Sequence, residues 1–170
     1  ILNRLDNNAA AYDFSYLVYT PVLATVYIGL FVSETILLSR ILLYKIKPGK
    51  YSVYSSTYVR KWLSDQLISM SLIVVHPIFA TVYVSWFFRA LGAKIGKNTE
   101  ISTASSVTHT MLEIGDESFI ADAVTLGEAD IRAQQLILEK TKIGSKSFVG
   151  NSALIPQGYS LQDNMLIGVL

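Results

Sequence analysis

The stretch IGSKSFVGNSALIPQGYSLQDNMLIGV, residues 143–169, carries an aliphatic residue at every sixth position. These positions are Ile143, Val149, Ile155, Leu161 and Ile167. An α-helix repeats about every 3.6 residues and a strand about every 2, so neither element explains the spacing. A period of six is typical of the hexapeptide repeats that build a parallel β-helix.

The aliphatic column extends back to residue 95 with a spacing of six that fails at two places. Its earlier members are Ile95, Ile101, Val107, Ile114, Ile120, Leu126, Ile131 and Ile137. One residue is added between Val107 and Ile114, and one is missing between Leu126 and Ile131. Small residues often follow the aliphatic ones, which lets the chain turn at corners. The pattern predicts an all-β domain over residues 92–170, a three-sided coil with every column member pointing inward.

Residues 1–91 differ sharply in composition and are predicted to form a membrane-associated helical domain. Phe14 to Ser33 is free of charged residues, and about 20 apolar residues suffice for a helix to cross a bilayer. We expect this helix to continue through ETILLSRILLYK. A second uncharged run, Gln66 to Phe88, is broken by His76–Pro77. It predicts a membrane-associated hairpin, whose first part is amphipathic, or alternatively a second crossing.

The distribution of basic residues predicts an orientation in the cytoplasmic membrane. Only Arg4 precedes the first span, whereas a basic cluster follows it, consisting of Arg40, Lys45, Lys47, Lys50, Arg60 and Lys61. The positive-inside rule therefore places the end of the span in the cytoplasm. With a hairpin that does not cross, the β-helix faces the cytoplasm. The chain begins at Ile1 and stops within the repeat, so we expect a piece of a longer protein.

Charge and composition exclude several classes of function. The net charge of +1 gives no indication of nucleic-acid binding, which requires a basic surface. The chain has no cysteine, which excludes disulfides, thiolate metal sites and cysteine nucleophiles. No metal site is predicted.

The irregularities of the repeat are the natural places for function, because the regular positions serve the scaffold. The added residue lies in VTHTMLE, residues 107–113, and should bulge from a corner and display His109. A neutral imidazole is a suitable general base for an amine or hydroxyl nucleophile. A solvated loop histidine is the alternative. Asp116 and Asp122 are candidates for orienting this base.

Three further residues are candidates for substrate binding. Glu128 and Asp130 lie beside the second irregularity and could bind a cationic amine. Asn151, in FVGNSA, could contact a ligand or form a ladder with the neighbouring coil. For the four acidic candidates, the alternative is a polar residue at a corner of the coil.

The motifs resemble two groups of proteins. The hexapeptide pattern is similar to that of the left-handed β-helix acyltransferases. The segments LGAKIG, IGDESFIADAVTLG and FVGNSALIPQG, following a hydrophobic span, resemble the C-terminal membrane region of the ε-poly-L-lysine synthetase family of nonribosomal peptide synthetases. The resemblance implies a left-handed coil, and adenylation and carrier domains in the same polypeptide.

The resemblance also implies a reaction, in which an amine attacks an aminoacyl thioester on the phosphopantetheine arm of a carrier domain. This segment itself would bind no cofactor. The HHxxxDG condensation motif is absent from the sequence, so the chemistry would belong to the β-helix surface. Two alternatives stay open. One is a stand-alone membrane-anchored acyltransferase that uses acyl-CoA, as a homo-oligomer. The other is a non-catalytic β-helical scaffold at the membrane.

Overall fold

The computed structural model describes residues 15–74 and 82–169. The chain divides into two compact units, residues 1–33 and 34–170. Helix α1, Ser15–Leu42, begins in the first unit and ends in the second. It is continuous, which confirms the predicted extension beyond residue 33. Its segment Tyr19–Leu42 is long and apolar enough to cross a membrane, judged by length and composition.

Two more helices lie in the second unit. Helix α2 is Ser56–Val74 and helix α3 is Tyr83–Leu91. Gly92 ends α3 with a φ of 116°, and its N–H donates to the carbonyl oxygens of Phe88 and Arg89. Glycine suits this position because its missing Cβ permits a positive φ. The helical part therefore ends where the composition of the sequence changes.

Short strands are the main regular elements of the remaining chain. In the described residues they are, in chain order, β1 (Gly49–Ser52), β2 (Lys94–Ile95), β3 (Glu100–Ile101), β4 (Ala104–Ser105), β5 (Leu112–Ile114), β6 (Phe119–Ile120), β7 (Val124–Leu126), β8 (Asp130–Arg132), β9 (Gln135–Leu138), β10 (Thr141–Ile143), β11 (Phe148–Val149), β12 (Leu154–Ile155) and β13 (Leu166–Ile167). A 3₁₀ turn, His109–Met111, precedes β5.

Three parallel sheets form the sides of the coil. Their strand orders are β10-β5-β2, β13-β11-β6-β3 and β12-β7-β4. The aliphatic column is in register across the coils: Ile95 lies opposite Ile114, and Ile114 opposite Ile143. Ile120 and Val149 are paired in the same way and fully buried. These sheets agree with the predicted parallel β-helix, while the left-handed sense of the coil remains a prediction from the resemblance.

The second irregularity is an inserted hairpin, so the prediction for Ile131 and Ile137 is wrong. Ile114 and Ile143 are paired 29 residues apart, whereas Val149 and Ile167 are paired 18 apart, which leaves 11 extra residues. Strands β8 and β9 pair antiparallel, and β1 adds to β9 from outside the repeat. Ile131 is 55% exposed. Ile131 and Ile137 happen to keep a spacing of six with Ile143, so the sequence pattern gives no sign of the inserted residues.

Helix α3 covers the first coil. It packs against β2, β3 and the 3₁₀ turn, and it buries Phe88 and Leu91. Polar contacts fix this position. Ser85 Oγ donates to the carbonyl oxygen of Thr99 at 2.7 Å, and Arg89 Nε donates to that of Ile95 at 2.9 Å. The apolar end of the coil is thereby closed by a helix.

One corner of the coil requires glycine in successive layers. A Cβ built on Gly115 would lie 2.5 Å from the backbone nitrogen of Ser145 in the next coil. We expect Gly115→Ala to lower the free energy of unfolding by about 1–3 kcal/mol, because the coils must separate to admit the methyl group. Urea unfolding in detergent measures this.

Gly29 in helix α1 provides the control, because a Cβ there meets nothing within 4 Å. Gly29→Ala is not expected to lower the free energy of unfolding, because alanine has a higher helix propensity than glycine. Equal effects of the two substitutions would contradict the close stacking at the Gly115 corner.

Candidate functional site

A cavity of about 340 Å³ lies between helices α2 and α3, the first coil and the inserted hairpin. Small-molecule sites typically occupy roughly 300–1,000 Å³, so this volume suits a small ligand. Its lining combines apolar, aromatic and charged side chains: Tyr58, Lys61, Trp62, Asp65, Ile68, Ser69, Leu72, Phe88, Val107, His109, Glu128, Ala129, Ile131 and Leu136, with the segment 104–106.

His109 lies in the wall of this cavity and is 2% exposed. Its ring meets the edge of Phe88, with 4.5 Å between centroids and 89° between planes. Both the outward bulge and the solvated loop histidine are therefore wrong. The added residue is taken up by the 3₁₀ turn, which directs the imidazole inward against α3. The residue that the irregularity indicated therefore lies in the cavity wall, buried rather than displayed.

The buried imidazole of His109 has no hydrogen-bond partner on Nδ1 or Nε2 in the described structure. Burial, and secondarily the charge of Lys61, lower the pKa of His109 to about 3. The ring is therefore neutral at physiological pH, with one N–H donor and one bare acceptor nitrogen. Leaving a buried polar group unpaired costs about 1–3 kcal/mol. A ligand with matching groups would recover that energy.

An ion pair on α2 forms the opposite wall. Lys61 is 3% exposed, and its Nζ lies 2.6 Å from both carboxylate oxygens of Asp65. Burial raises the pKa of Asp65, and Lys61 opposes that rise. The sequence analysis missed this pair. The signal was a lysine and an aspartate four residues apart, the spacing that brings side chains together on a helix.

Glu128 gives the cavity an unbalanced charge. The charged lining residues are Lys61, Asp65 and Glu128. With Asp65 ionised beside Lys61 the pair cancels, and Glu128 leaves one negative charge. Glu128 is exposed at the cavity edge and has no ion-pair partner among the described residues. The site therefore favours a ligand that carries one positive charge.

Of the six residues selected from the sequence, only His109 and Glu128 meet in this cavity. Asp116 Oδ1 accepts from the Lys97 N–H at 2.6 Å, which holds a corner of the coil. Asp130 pairs with Arg132 at 2.5 Å in a separate groove on the other side of the hairpin.

Asp122 and Asn151 form a ladder along the coil rather than part of the cavity. Asp122 Oδ1 accepts from Ser102 and Thr103, and the Asp122 N–H donates to Asn151 Oδ1 at 3.2 Å. These are the contacts expected of corner residues. In the described part of the chain, no group of three or more His, Cys, Asp or Glu residues is placed to hold a metal ion.

Comparison with known proteins shows what this chain is similar to. No protein-family model matches the chain. Over 132 residues, 78% of the chain, it is 54% identical to the Delta-poly-L-ornithine synthetase of Acinetobacter baumannii (strain AB307-0294). The chain is a homologue of part of a poly-amino-acid synthetase. The resemblance to the ε-poly-L-lysine synthetase family is thereby confirmed. The chain spans 10% of that relative's length.

One solved structure is also similar to this chain. It is the native serine acetyltransferase 1 from Entamoeba histolytica, with 13% sequence identity and a TM-score of 0.30. The match covers 98% of this chain and 68% of the acetyltransferase chain. A TM-score at this level does not establish a common fold, and the three parallel sheets are evident from the strand pairing alone.

Proposed function

We propose that this chain is a segment of a membrane-bound poly-amino-acid synthetase, and that its β-helix takes part in amide-bond formation. The observation that carries the proposal is the neutral, unpartnered His109 in a cavity with one uncompensated carboxylate. The 54% identity to a poly-L-ornithine synthetase supports the reaction class. Its name suggests a diamino acid as the substrate, which would bring the positive charge that the cavity lacks.

In the proposed reaction the cavity holds the acceptor amine. Glu128 binds the ammonium group that does not react. The His109 ring, whose nitrogens are buried in the described structure, turns to bring its bare nitrogen to the amine that does react. The amine nitrogen attacks the thioester carbonyl carbon, the new C–N bond forms, and the C–S bond breaks. His109 accepts the proton lost by the nitrogen and passes it to the leaving thiolate. A general base contributes roughly 10²–10⁴ in rate when its pKa lies near the working pH, so an imidazole with a pKa of about 3 contributes toward the lower end of that range.

The thioester donor is proposed to come from a carrier domain of the same polypeptide, charged by an adenylation domain. Its aminoacyl group would be carried on phosphopantetheine, whose thin chain is compatible with the apolar part of the cavity near Ile68, Leu72 and Val107. Helix α1 is proposed to cross the cytoplasmic membrane. The lysines that follow it then place the β-helix on the cytoplasmic side, where charged carriers are made.

Glu128→Gln tests the binding of the acceptor. In the synthetase that contains this segment, with ATP and L-ornithine supplied, we expect the KM for the acceptor to rise about tenfold with little change in kcat. An ion pair at a partly exposed site is worth on the order of 1 kcal/mol, and loss of uniform binding raises KM alone.

The matched control is Glu139→Gln. Glu128 and Glu139 flank the hairpin at its two ends and both border the other groove, but only Glu128 also lines the cavity. Glu139→Gln should leave both KM and kcat unchanged. The proposal fails if Glu128→Gln behaves like Glu139→Gln, or if polymer forms equally well with amino acids that lack a second amine.

A further inference from the structure

We propose that the outward faces of α2 and α3 form a lipid-docking face that lies in the interface of an anionic membrane. The face is defined by Val59, Leu63, Met70, Ile73, Val74, Val82, Tyr83 and Trp86, all of them exposed. This inference is independent of the proposed reaction, because it rests on the outward surfaces of α2 and α3 and on their contacts with the end of α1.

Helix α2 turns its polar side inward and its apolar side outward, the reverse of a helix on the surface of a water-soluble protein. It buries Lys61, Ser64 and Ser71, with Ile68 as the single buried aliphatic residue. Its apolar residues face outward, and Ile73 is 78% exposed. A surface helix normally turns its apolar stripe to the core. Isolated exposed apolar residues are ordinary, but a continuous apolar face indicates an interaction surface.

Helix α3 adds to the same surface. It buries Phe87, Phe88 and Leu91 against the first coil and exposes Tyr83 and Trp86, the latter at 58%. The inward sides of both helices line the central cavity, through Ile68 and Leu72 of α2 and Phe88 of α3. The two exposed apolar faces therefore lie on the side away from the coil.

The contacts that α2 and α3 make with the end of α1 indicate that lipid covers this face. Arg40 Nε of α1 donates to the carbonyl oxygen of Ala90 in α3 at 2.8 Å, and Arg60 of α2 donates to that of Tyr44 at 2.8 Å. Both helices are thus hydrogen-bonded to the end of α1, the one helix among the described residues that is long and apolar enough to cross a membrane.

The groups around this face match the chemistry of a membrane interface. Lys45, Lys47 and Lys50 are exposed directly after α1, and each lysine near an anionic surface adds about 1 kcal/mol of attraction. Trp86 and Tyr83 belong to the residue types that concentrate at the headgroup level. α3 has 9 residues, fewer than half of the roughly 20 needed to cross. The face therefore lies in the interface plane.

Tryptophan fluorescence tests this directly, because the chain has two tryptophans, Trp62 and Trp86. In the Trp62→Phe protein, Trp86 is the sole reporter. We reconstitute it in phosphatidylcholine–phosphatidylglycerol vesicles whose acyl chains carry bromine. The expected result is strong quenching of Trp86 by the brominated lipid and little quenching by iodide in the buffer.

Charge introduced into the face should reverse this result. Met70→Glu with Ile73→Glu, in the same background, is expected to lose most of the lipid quenching and to gain iodide quenching. Leu154→Glu, at an exposed apolar position on the coil, is the matched control and should retain lipid quenching. Far-ultraviolet circular dichroism confirms that each variant is folded.

Two outcomes would overturn the proposal, and both are visible in the Trp62→Phe protein without further variants. Iodide quenching without lipid quenching would mean that the face lies in water. Protection from both quenchers, accompanied by a cross-linked dimer, would mean that a second copy of the chain covers the face.

Discussion

His109→Gln is expected to lower the rate of amide formation about a hundredfold, the lower end of what a general base contributes, because a low pKa makes the imidazole a weak base. The glutamine amide can hydrogen-bond an amine but cannot take its proton. Because the pKa of His109 is about 3 in the free cavity, the ring is unprotonated throughout the range of pH 6–8. The wild-type rate should therefore show no loss near pH 6 from protonation of this histidine. The measurement is polymer formation across pH 6–8.

The control for this prediction is His76→Gln, which removes the other histidine of the chain and should leave the rate unchanged. A folded His109→Gln protein that makes polymer at the wild-type rate would remove His109 from the mechanism. A purely structural role would instead lower the stability and spare the rate of the folded fraction, which thermal unfolding of the same preparations distinguishes.

The stability of the protein is expected to fall as the pH drops below about 6.5. The unfolded chain takes up a proton on His109 there, whereas the folded chain does not until the pH approaches about 3. Stability is lost wherever the unfolded state binds more protons, and one such group gives about 1.4 kcal/mol per pH unit. Urea unfolding at pH 7, 6 and 5 measures the slope.

The slope attributable to His109 is the difference between the wild type and His109→Gln. The charged groups facing this histidine in the cavity are Lys61, Asp65 and Glu128, and all three are present in both proteins. The raised pKa of Asp65 acts in the opposite sense, because its stabilising proton uptake is lost as the pH rises. Identical pH dependence in both proteins would contradict the burial of a neutral His109.

The repeat could be predicted from the sequence because each layer depends on residues close to it in the chain. The register of Ile95 with Ile114, and of Val149 with Ile167, follows from the spacing of their neighbours. The inserted hairpin could not be predicted in this way. Its strand β9 pairs with β1, which lies far earlier in the chain. The first residue of β1 is Gly49 and the first residue of β9 is Gln135, 86 residues later. Such long-range pairing leaves no periodic signal, and Ile131 and Ile137 happened to keep the period.

In the candidate site, too, the sequence indicated features that depend on nearby residues and missed those that depend on residues far away in the chain. His109 was recognisable because an added residue interrupts a regular pattern. Its burial depends on Phe88, and its neighbours Lys61 and Asp65 come from α2, which the sequence analysis examined only for membrane association. The sequence predicted an amphipathic segment at α2, yet hydrophobicity alone did not reveal that its polar face would line a cavity.

The measurement that tests the central claim most directly is the consumption of the carrier-bound thioester when the cavity is obstructed. Ser69 is exposed at the cavity lining, whereas the adjacent Met70 is exposed on the lipid-docking face. Each is replaced by tryptophan in the synthetase that contains this segment. The thioester is then loaded with labelled amino acid, and its disappearance is followed after acceptor is added.

The cavity is the site of amide formation if Ser69→Trp loads normally but retains its thioester, consuming it at least about tenfold more slowly, as expected when the reacting groups are displaced. Met70→Trp should consume it at the wild-type rate. Consumption at the wild-type rate in a folded Ser69→Trp protein would contradict the account, because the reaction would then occur elsewhere.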